Sequence, residues 1–230
     1  MYRDKTISVI IPCLNEEHGL VATMDRIPDC VDEVVVVDNG STDRTAEVAK
    51  SLGAVVVSEP KRGYSGAHLT GYRNATKEII ITADGDGTYP LTAIPHIVDR
   101  LIETGAGFLC TVRYPLYDRN AMHHKNFIGN QITSLWMSLL FKTKFSDGLS
   151  GMWAFRRELL DYFKFDFKHE SWDISPDIKL EAYLRKEIGY AECHIHYAER
   201  TGEVKNTPWR TGLGHVWFIF MKRLKHKLPN

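Results

Sequence analysis

Hydrophobic and polar positions alternate along the chain in blocks that change period. The β-branched run over 7–11 predicts a strand, and Pro12 limits how far it continues inside a sheet. Leu20, Met24 and Ile27 then recur at helical spacing, with Asn15 placed to cap their helix and Pro28 to close it. Val34 to Val37 is apolar on both faces, as in a buried parallel strand, and stops at Asp38. Ser41, Thr42 and Asp43 supply an N-cap for a helix carrying Ala46, Ala49 and Leu52, and Gly53 fits a left-handed C-cap. Strands over 54–57 and 79–81 frame a helix over 66–75. Ile94, Ile97, Val98, Leu101 and Ile102 mark an amphipathic helix before a fifth strand over 108–112.

This alternation predicts an α/β fold with a doubly wound, mostly parallel sheet, in which ligands bind outside the carboxyl ends of the strands. Beyond residue 113 the rhythm weakens. An aromatic-rich helix over 127–141, a strand over 152–155, a helix over 176–186, a strand over 190–197 and a basic, aromatic C-terminal helix are expected there. Without a linker or a repeat, residues 1–230 read as one domain with halves at 1–112 and 113–230.

Composition narrows the partners. Lys+Arg and Asp+Glu both number 29, so no global charge draws the chain to nucleic acid. Cys13, Cys30, Cys110 and Cys193 form no Cys-x-x-Cys pair, which argues against a structural zinc site and for free thiols in a reducing compartment. No secretion signal precedes the first strand, and no apolar stretch approaches the ~20 residues that span a bilayer, so a cytoplasmic location is expected.

Asp84-Gly85-Asp86 follows the strand over 79–81, and alternate residues of an extended chain project to one side. Hard cations take oxygen ligands, commonly one or two carboxylates completed by substrate phosphates, so Asp84 and Asp86 form a candidate Mg²⁺ or Mn²⁺ site. An acidic turn using Asp and Gly for backbone geometry accounts for the same tripeptide. Asp38 also ends a strand, and strand ends share one edge of a doubly wound sheet, so all three carboxylates can flank a crevice suited to a nucleotide.

The segments 8–17 (SVIIPCLNEE), 35–43 (VVVDNGSTD) and 83–90 (ADGDGTYP), in that order, resemble glycosyltransferase family 2 and its GT-A fold. Segment 147–157 (DGLSGMWAFRR) is similar to that of the dolichyl- and polyprenyl-phosphate mannose or glucose synthases within it. The resemblance implies Pro12, Asn15 and Glu16 near the nucleotide-sugar donor, Asp38 on the base, Asp84 toward ribose or metal, and Asp86 as the main metal ligand. It also sets 200–205 (RTGEVK), with Arg200 and Lys205, against phosphate. Thr88 stands where these enzymes often carry Gln, and Trp153 where Arg is commoner. The expected function is inverting transfer of a hexose, from a donor of the GDP-mannose or UDP-glucose type, to a polyprenyl or dolichyl phosphate.

The alternatives are transfer to a saccharide hydroxyl and non-catalytic nucleotide-sugar binding. A hydroxyl acceptor requires a general base, and Glu170, Asp173 and Asp177 lie before or at the start of a helix, Asp177 being preferred; Ser175 as N-cap and Pro176 in the first turn account for the same acids structurally. Arg113, Ser150, Arg119, His123, His124, Lys125, Arg200 and Lys205 are candidates for an acceptor phosphate. The stripe Phe127, Ile128, Ile132, Leu135, Trp136, Leu139 and Leu140 reads first as core packing. The run 215–227, aromatic then basic, predicts docking on anionic membrane, with any membrane-embedded partner a separate chain. His194 and His196 share a strand face but lack a third ligand. A dinucleotide oxidoreductase is disfavoured because no Gly-x-Gly-x-x-Gly follows the first strand.

Overall fold

The computed structural model describes residues 1–116, 121–198 and 208–226, the side chains of 208–210 excepted. The first half builds β1 (Ile7–Cys13), α1 (Glu17–Met24), β2 (Glu33–Asp38), α2 (Thr45–Ser51), β3 (Val55–Ser58), α3 (Tyr64–Asn74), β4 (Ile79–Thr82), α4 (Ile94–Glu103) and β5 (Phe108–Val112). The second adds α5 (His124–Phe141), β6 (Trp153–Arg156), α6 (Ile174–Leu184), β7 (Tyr190–His194) and α7 (Pro208–Lys225). The strands form a seven-stranded sheet in the order β3-β2-β1-β4-β6-β5-β7. Every pairing is parallel except those of β6, which runs antiparallel to both β4 and β5.

Strand alternation explains the two faces. Ile7, Val9 and Ile11 of β1 pack with Leu20 of α1 and Ile94, Ile97, Val98 and Leu101 of α4, whereas Ile10 turns to the opposite core with Ala67 and Tyr72 of α3 and Ile174 and Ile178 of α6. A third cluster joins Met137 and Phe141 of α5 to Leu180 of α6 and Ile219 of α7.

Pro12 lies within β1, a central strand, yet breaks no ladder. The Ile10 carbonyl accepts from Ala83 on the β4 side, and the Cys13 carbonyl accepts from Asn39 on the β2 side. Residue 12 therefore faces β4, whose register with β1 ends at Ile10 opposite Thr82.

Several local expectations are corrected. Asn15 does not cap α1: its φ is +53° and its side chain accepts from the Thr42 N–H instead. Helix α2 starts at Thr45, and Asp43 serves it by accepting the Thr45 N–H. Helix α6 starts at Ile174, so Ser175 is inside it and its hydroxyl donates to the Ser150 carbonyl at 2.8 Å. The last strand ends at His194. On α5, Ile128, Ile132, Leu135 and Leu139 are exposed; Trp136 and Leu140 face the core.

Candidate active site

The carboxyl ends of β1, β2 and β4 lie side by side, with Cys13 opposite Asp38 and Ile10 opposite Thr82, and the loops leaving them build one wall of a cleft of about 890 Å³. That volume falls in the range of small-molecule sites. Pro12, Glu16, Asp84 and Asp86 line it.

Cross-loop hydrogen bonds shape this wall. The Asn15 N–H donates to Ser41 Oγ at 3.0 Å, and the Glu16 N–H donates to Thr45 Oγ1 at 2.8 Å. Asn15 thus clips two loops together without lining the cleft. Asp38, expected at the nucleotide base, does not line the cleft: its Oδ1 accepts from the Ser41 N–H at 3.0 Å, and the neighbouring Asn39 reaches the cleft instead. Asn39 Nδ2 donates to the carbonyls of Glu59 and Lys61 at 2.9 and 3.0 Å, and its Oδ1 accepts from Gly63 at 2.8 Å. This fixes the turn that brings Arg62 and Tyr64 into the wall.

The acidic pair is held by donors. Asp86 is only 2% exposed, and its Oδ1 accepts from the Thr88 N–H at 3.1 Å and Thr88 Oγ1 at 2.6 Å. Tyr64 donates its hydroxyl to Asp84 Oδ1 at 3.1 Å and stacks on Trp172 with centroids 4.5 Å apart. Burial, reinforced by the Asp84 charge, raises the Tyr64 phenol well above its ordinary range and keeps it a donor. Two glycines permit the close approach: a Cβ on Gly85 would sit 2.7 Å from Cys13 Sγ, and one on Gly151 would sit 3.1 Å from Asp84 Oδ2. The Gly151 N–H donates to the Tyr89 hydroxyl at 2.6 Å, joining the 147–151 segment to the acidic loop.

Arg113 supplies a buried cation. Its Nε donates to Asp147 Oδ2 at 2.7 Å and its Nη2 to Oδ1 at 2.8 Å, and the guanidinium lies 5.2 Å from the Tyr197 ring centroid. Burial pushes the Asp147 carboxyl upward, but the Arg113 guanidinium and the Asn130 amide more than offset it and hold it below the usual range. Lys179 steadies the same segment from beneath: its Nζ donates to the carbonyls of Gly148 and Ser150 at 3.0 and 2.8 Å. Ser150 is accordingly buried and does not line the cleft. Trp153 is also a core residue, its indole donating to the Tyr72 hydroxyl at 3.1 Å.

Further parts of the lining come from His123, Lys125, Asn126, Gly129 and Thr133 of the α5 region, with Thr211, Gly212 and His215 of α7. Of the proposed bases, Glu170 lines the cleft, exposed and ion-paired with Lys61 at 2.7 Å. Asp177 is a correction. It is fully buried, ion-paired with Lys222 and does not line the cleft, because one helical face of α6 turns it toward α7. Arg119, Arg200 and Lys205 lie outside the described residues. His194 bonds the Tyr114 carbonyl at 2.6 Å through Nδ1.

Sequence reasoning missed Asn39, Tyr64, Tyr89, Trp172 and His215 as cleft residues. Asn39 adjoins Asp38 and Tyr89 lies in the 83–90 segment, so both were within reach; Tyr64, Trp172 and His215 arrive by long-range packing.

Among the described residues no group of three or more His, Cys, Asp or Glu side chains is arranged to hold a metal ion by itself. Two carboxylates on a cleft wide enough for a diphosphate do fit a hard divalent cation that completes its shell from substrate oxygens.

The model of glycosyl transferase family 2 matches residues 8–163. A dolichyl-phosphate hexose transferase of Haloferax volcanii is 33% identical over 216 residues, 92% of this chain and 91% of that protein. A dolichol-phosphate mannosyltransferase of Pyrococcus furiosus is 28% identical over 167 residues, 67% of this chain and 47% of that longer protein. Among solved structures, glucosyl-3-phosphoglycerate synthase of Mycobacterium tuberculosis, in complex with Mn²⁺, uridine diphosphate and phosphoglyceric acid, superposes with a TM-score of 0.76. It is 23% identical, covers 99% of this chain and 80% of its own, and at that identity the likeness is one of fold. With Asp38, Asp84, Asp86, Arg113 and Asp147 all inside the matched segment, the chain belongs to glycosyl transferase family 2 and is a glycosyltransferase built on the GT-A fold.

Proposed function

We propose that this glycosyltransferase moves a hexose, with inversion, from a nucleoside-diphosphate sugar to a polyprenyl-type phosphate at a membrane surface. The observation that carries the reading is the make-up of the cleft, which sets the Asp84–Asp86 pair on one wall and a buried Arg113 with Lys125 and His215 elsewhere on its lining. Acidic groups suit a metal-bound diphosphate, and cationic donors suit a second phosphate. The names of the Haloferax and Pyrococcus relatives point to the same acceptor class.

Bound between Asp84 and Asp86, a divalent cation would offset the charge of the departing diphosphate. Thr88 and Tyr64 orient the two carboxylates, and Asn15 and Asn39 hold the loops of the donor wall. A phosphate monoester, with a second pKa near 6, arrives largely ionised and attacks without a dedicated base, in keeping with Asp177 being outside the cleft lining and ion-paired with Lys222, and with Glu170, which does line it, being ion-paired with Lys61.

Membrane contact fits the surface beside the cleft. Ile128, Ile132, Leu135 and Leu139 make an exposed apolar stripe on α5, which packs on α7, and neither helix contains an acidic residue. Lys125, on the same helix, lines the cleft. No helix among the described residues is long and apolar enough to cross a membrane, so the fit is to a surface contact.

The test is a donor screen with polyprenyl phosphate and a soluble saccharide as rival acceptors. Glycolipid formed in the presence of Mn²⁺ or Mg²⁺, and reduced at least about a hundredfold in D86A while the melting temperature stays close to that of the parent, is the expected result. Transfer to the saccharide alone, or full turnover by D86A, overturns the reading.

A further inference from the structure

We propose that His215, oriented by Asp173, is the contact through which the acceptor's phosphate is held. The inference rests on the acceptor reading above and names a residue for it.

His215 is 5% exposed, yet it lines the cleft from α7. Its Nδ1 lies 2.8 Å from Asp173 Oδ1, and Asp173 immediately precedes α6. A carboxylate can only accept, so Nδ1 carries the proton and donates, which fixes the ring and leaves Nε2 as its second polar atom. Among the described residues no hydrogen bond is made by Nε2. It is also not one of the two buried side-chain nitrogens left without a partner, which are His68 Nε2 and His169 Nδ1. Nε2 therefore keeps access to solvent, on a residue that lines the cleft.

The buried cations nearby are committed elsewhere, whereas Lys125 and His123, exposed on the same lining, are free to add to the positive field there. Arg113 spends Nε and Nη2 on Asp147, Lys179 donates to Gly148, Ser150 and Ser175, and Lys222 is shared by Asp177 and Glu181. His215 instead stands between one carboxylate and open space. A phosphate drawn to that space completes a hydrogen-bonded chain: Nδ1–H to Asp173, and a proton shared between Nε2 and a phosphate oxygen. No bond is made or broken at His215, so it positions the acceptor oxygen for attack on the anomeric carbon. The segment that presents it is anchored one turn and two turns on by Ile219 in the core and Lys222 in its ion pairs, which keeps the imidazole in place.

Steady-state kinetics on the full chain tests this, with polyprenyl phosphate in anionic vesicles and, separately, a short-chain isoprenyl phosphate in detergent. Loss of a charge-assisted hydrogen bond in H215A should raise the acceptor KM about tenfold or more with both probes, the donor KM moving less than about twofold. H215Q, which keeps an amide donor, should recover part of the loss, and D173N should fall between H215A and the parent. An unchanged acceptor KM in H215A overturns the assignment, as does a parallel rise of donor and acceptor KM, which reports a dislodged α7. An effect with vesicles but not with the short-chain phosphate also overturns it, since the residue then serves the lipid surface. If the parent transfers to neither phosphate, the acceptor reading fails and takes this assignment with it; if the parent transfers and only H215A is unaffected, His215 falls alone.

Discussion

Arg113 and Asp147 meet fork to fork beside the cleft, with Nε 2.7 Å from Oδ2 and Nη2 2.8 Å from Oδ1, and both are buried. Asp147 also accepts from the Arg113 N–H at 3.1 Å and from Asn130 Nδ2 at 2.8 Å, so one carboxylate ties β5, α5 and the 147–151 segment together. Removing it strands a guanidinium away from water. D147A is expected to cost about 3–5 kcal/mol in urea unfolding. A loss below about 1 kcal/mol means that the pair is ornamental to the fold.

Lys222 on α7 forms ion pairs with Asp177 and Glu181 on α6, all three fully buried, and Arg185 supplies a second cation to Glu181. Burial outweighs the pull of Lys222 and pushes the Asp177 carboxyl up to about 6. K222M leaves two carboxylates in an apolar setting, and a loss of roughly 3–5 kcal/mol follows. Substituting all three, as D177L/E181M/K222M, should regain much of it, since apolar packing of similar volume replaces a buried ion cluster at little cost. Equal stability for K222M and the parent rejects this account of how α7 is anchored.

His68 is buried with its ring 5.4 Å from that of Trp153, and its Nδ1 donates to the Tyr64 carbonyl at 3.0 Å. Its Nε2 is buried without a partner, and burial depresses the imidazole pKa from 6.5 to about 4. The unfolded chain then binds a proton that the folded chain refuses, so this stability is present above pH 6.5 and is lost as pH falls toward 4. H68F keeps a ring in the site and removes the titration. The gap between urea midpoints at pH 7.5 and 4.5 should narrow in H68F; an unaltered gap places the acid sensitivity elsewhere.

Ile132 and Leu139 are 56% and 64% exposed on α5, so changing them to Glu leaves the core intact. I132E/L139E is expected to lose co-sedimentation with anionic vesicles while its turnover of a short-chain isoprenyl phosphate stays within about twofold, because only the surface contact is removed. Undiminished co-sedimentation moves the membrane face elsewhere.

Much of this was legible along the chain. The strand over 108–112 coincides with β5, those at 7–11, 34–37 and 79–81 fall inside β1, β2 and β4, and Gly53 has the positive φ of a C-cap. Asp84 and Asp86 were readable because their two-residue spacing is local and their strand end is fixed by sheet topology. Capping was less readable. Asp43 does serve α2 through the Thr45 N–H, but Asn15 and Ser175, which also have N-cap chemistry, found partners that a single helix cannot reveal: the Thr42 N–H and the Ser150 carbonyl, respectively.

What the sequence determined by itself is periodicity and local chemistry: which segments are strands or helices, and where two carboxylates share a strand end. Only the tertiary structure decided which face each helix buries. It turned Asp177 toward Lys222, 45 residues away, brought Asp173 to His215, 42 residues away, and left Ile132 and Leu139 in solvent. The reason is that an amphipathic pattern states only that a face must be covered, whereas the choice of cover is made by packing between elements distant in the chain, where burial can turn a catalytic-looking acid into an ion-paired strut.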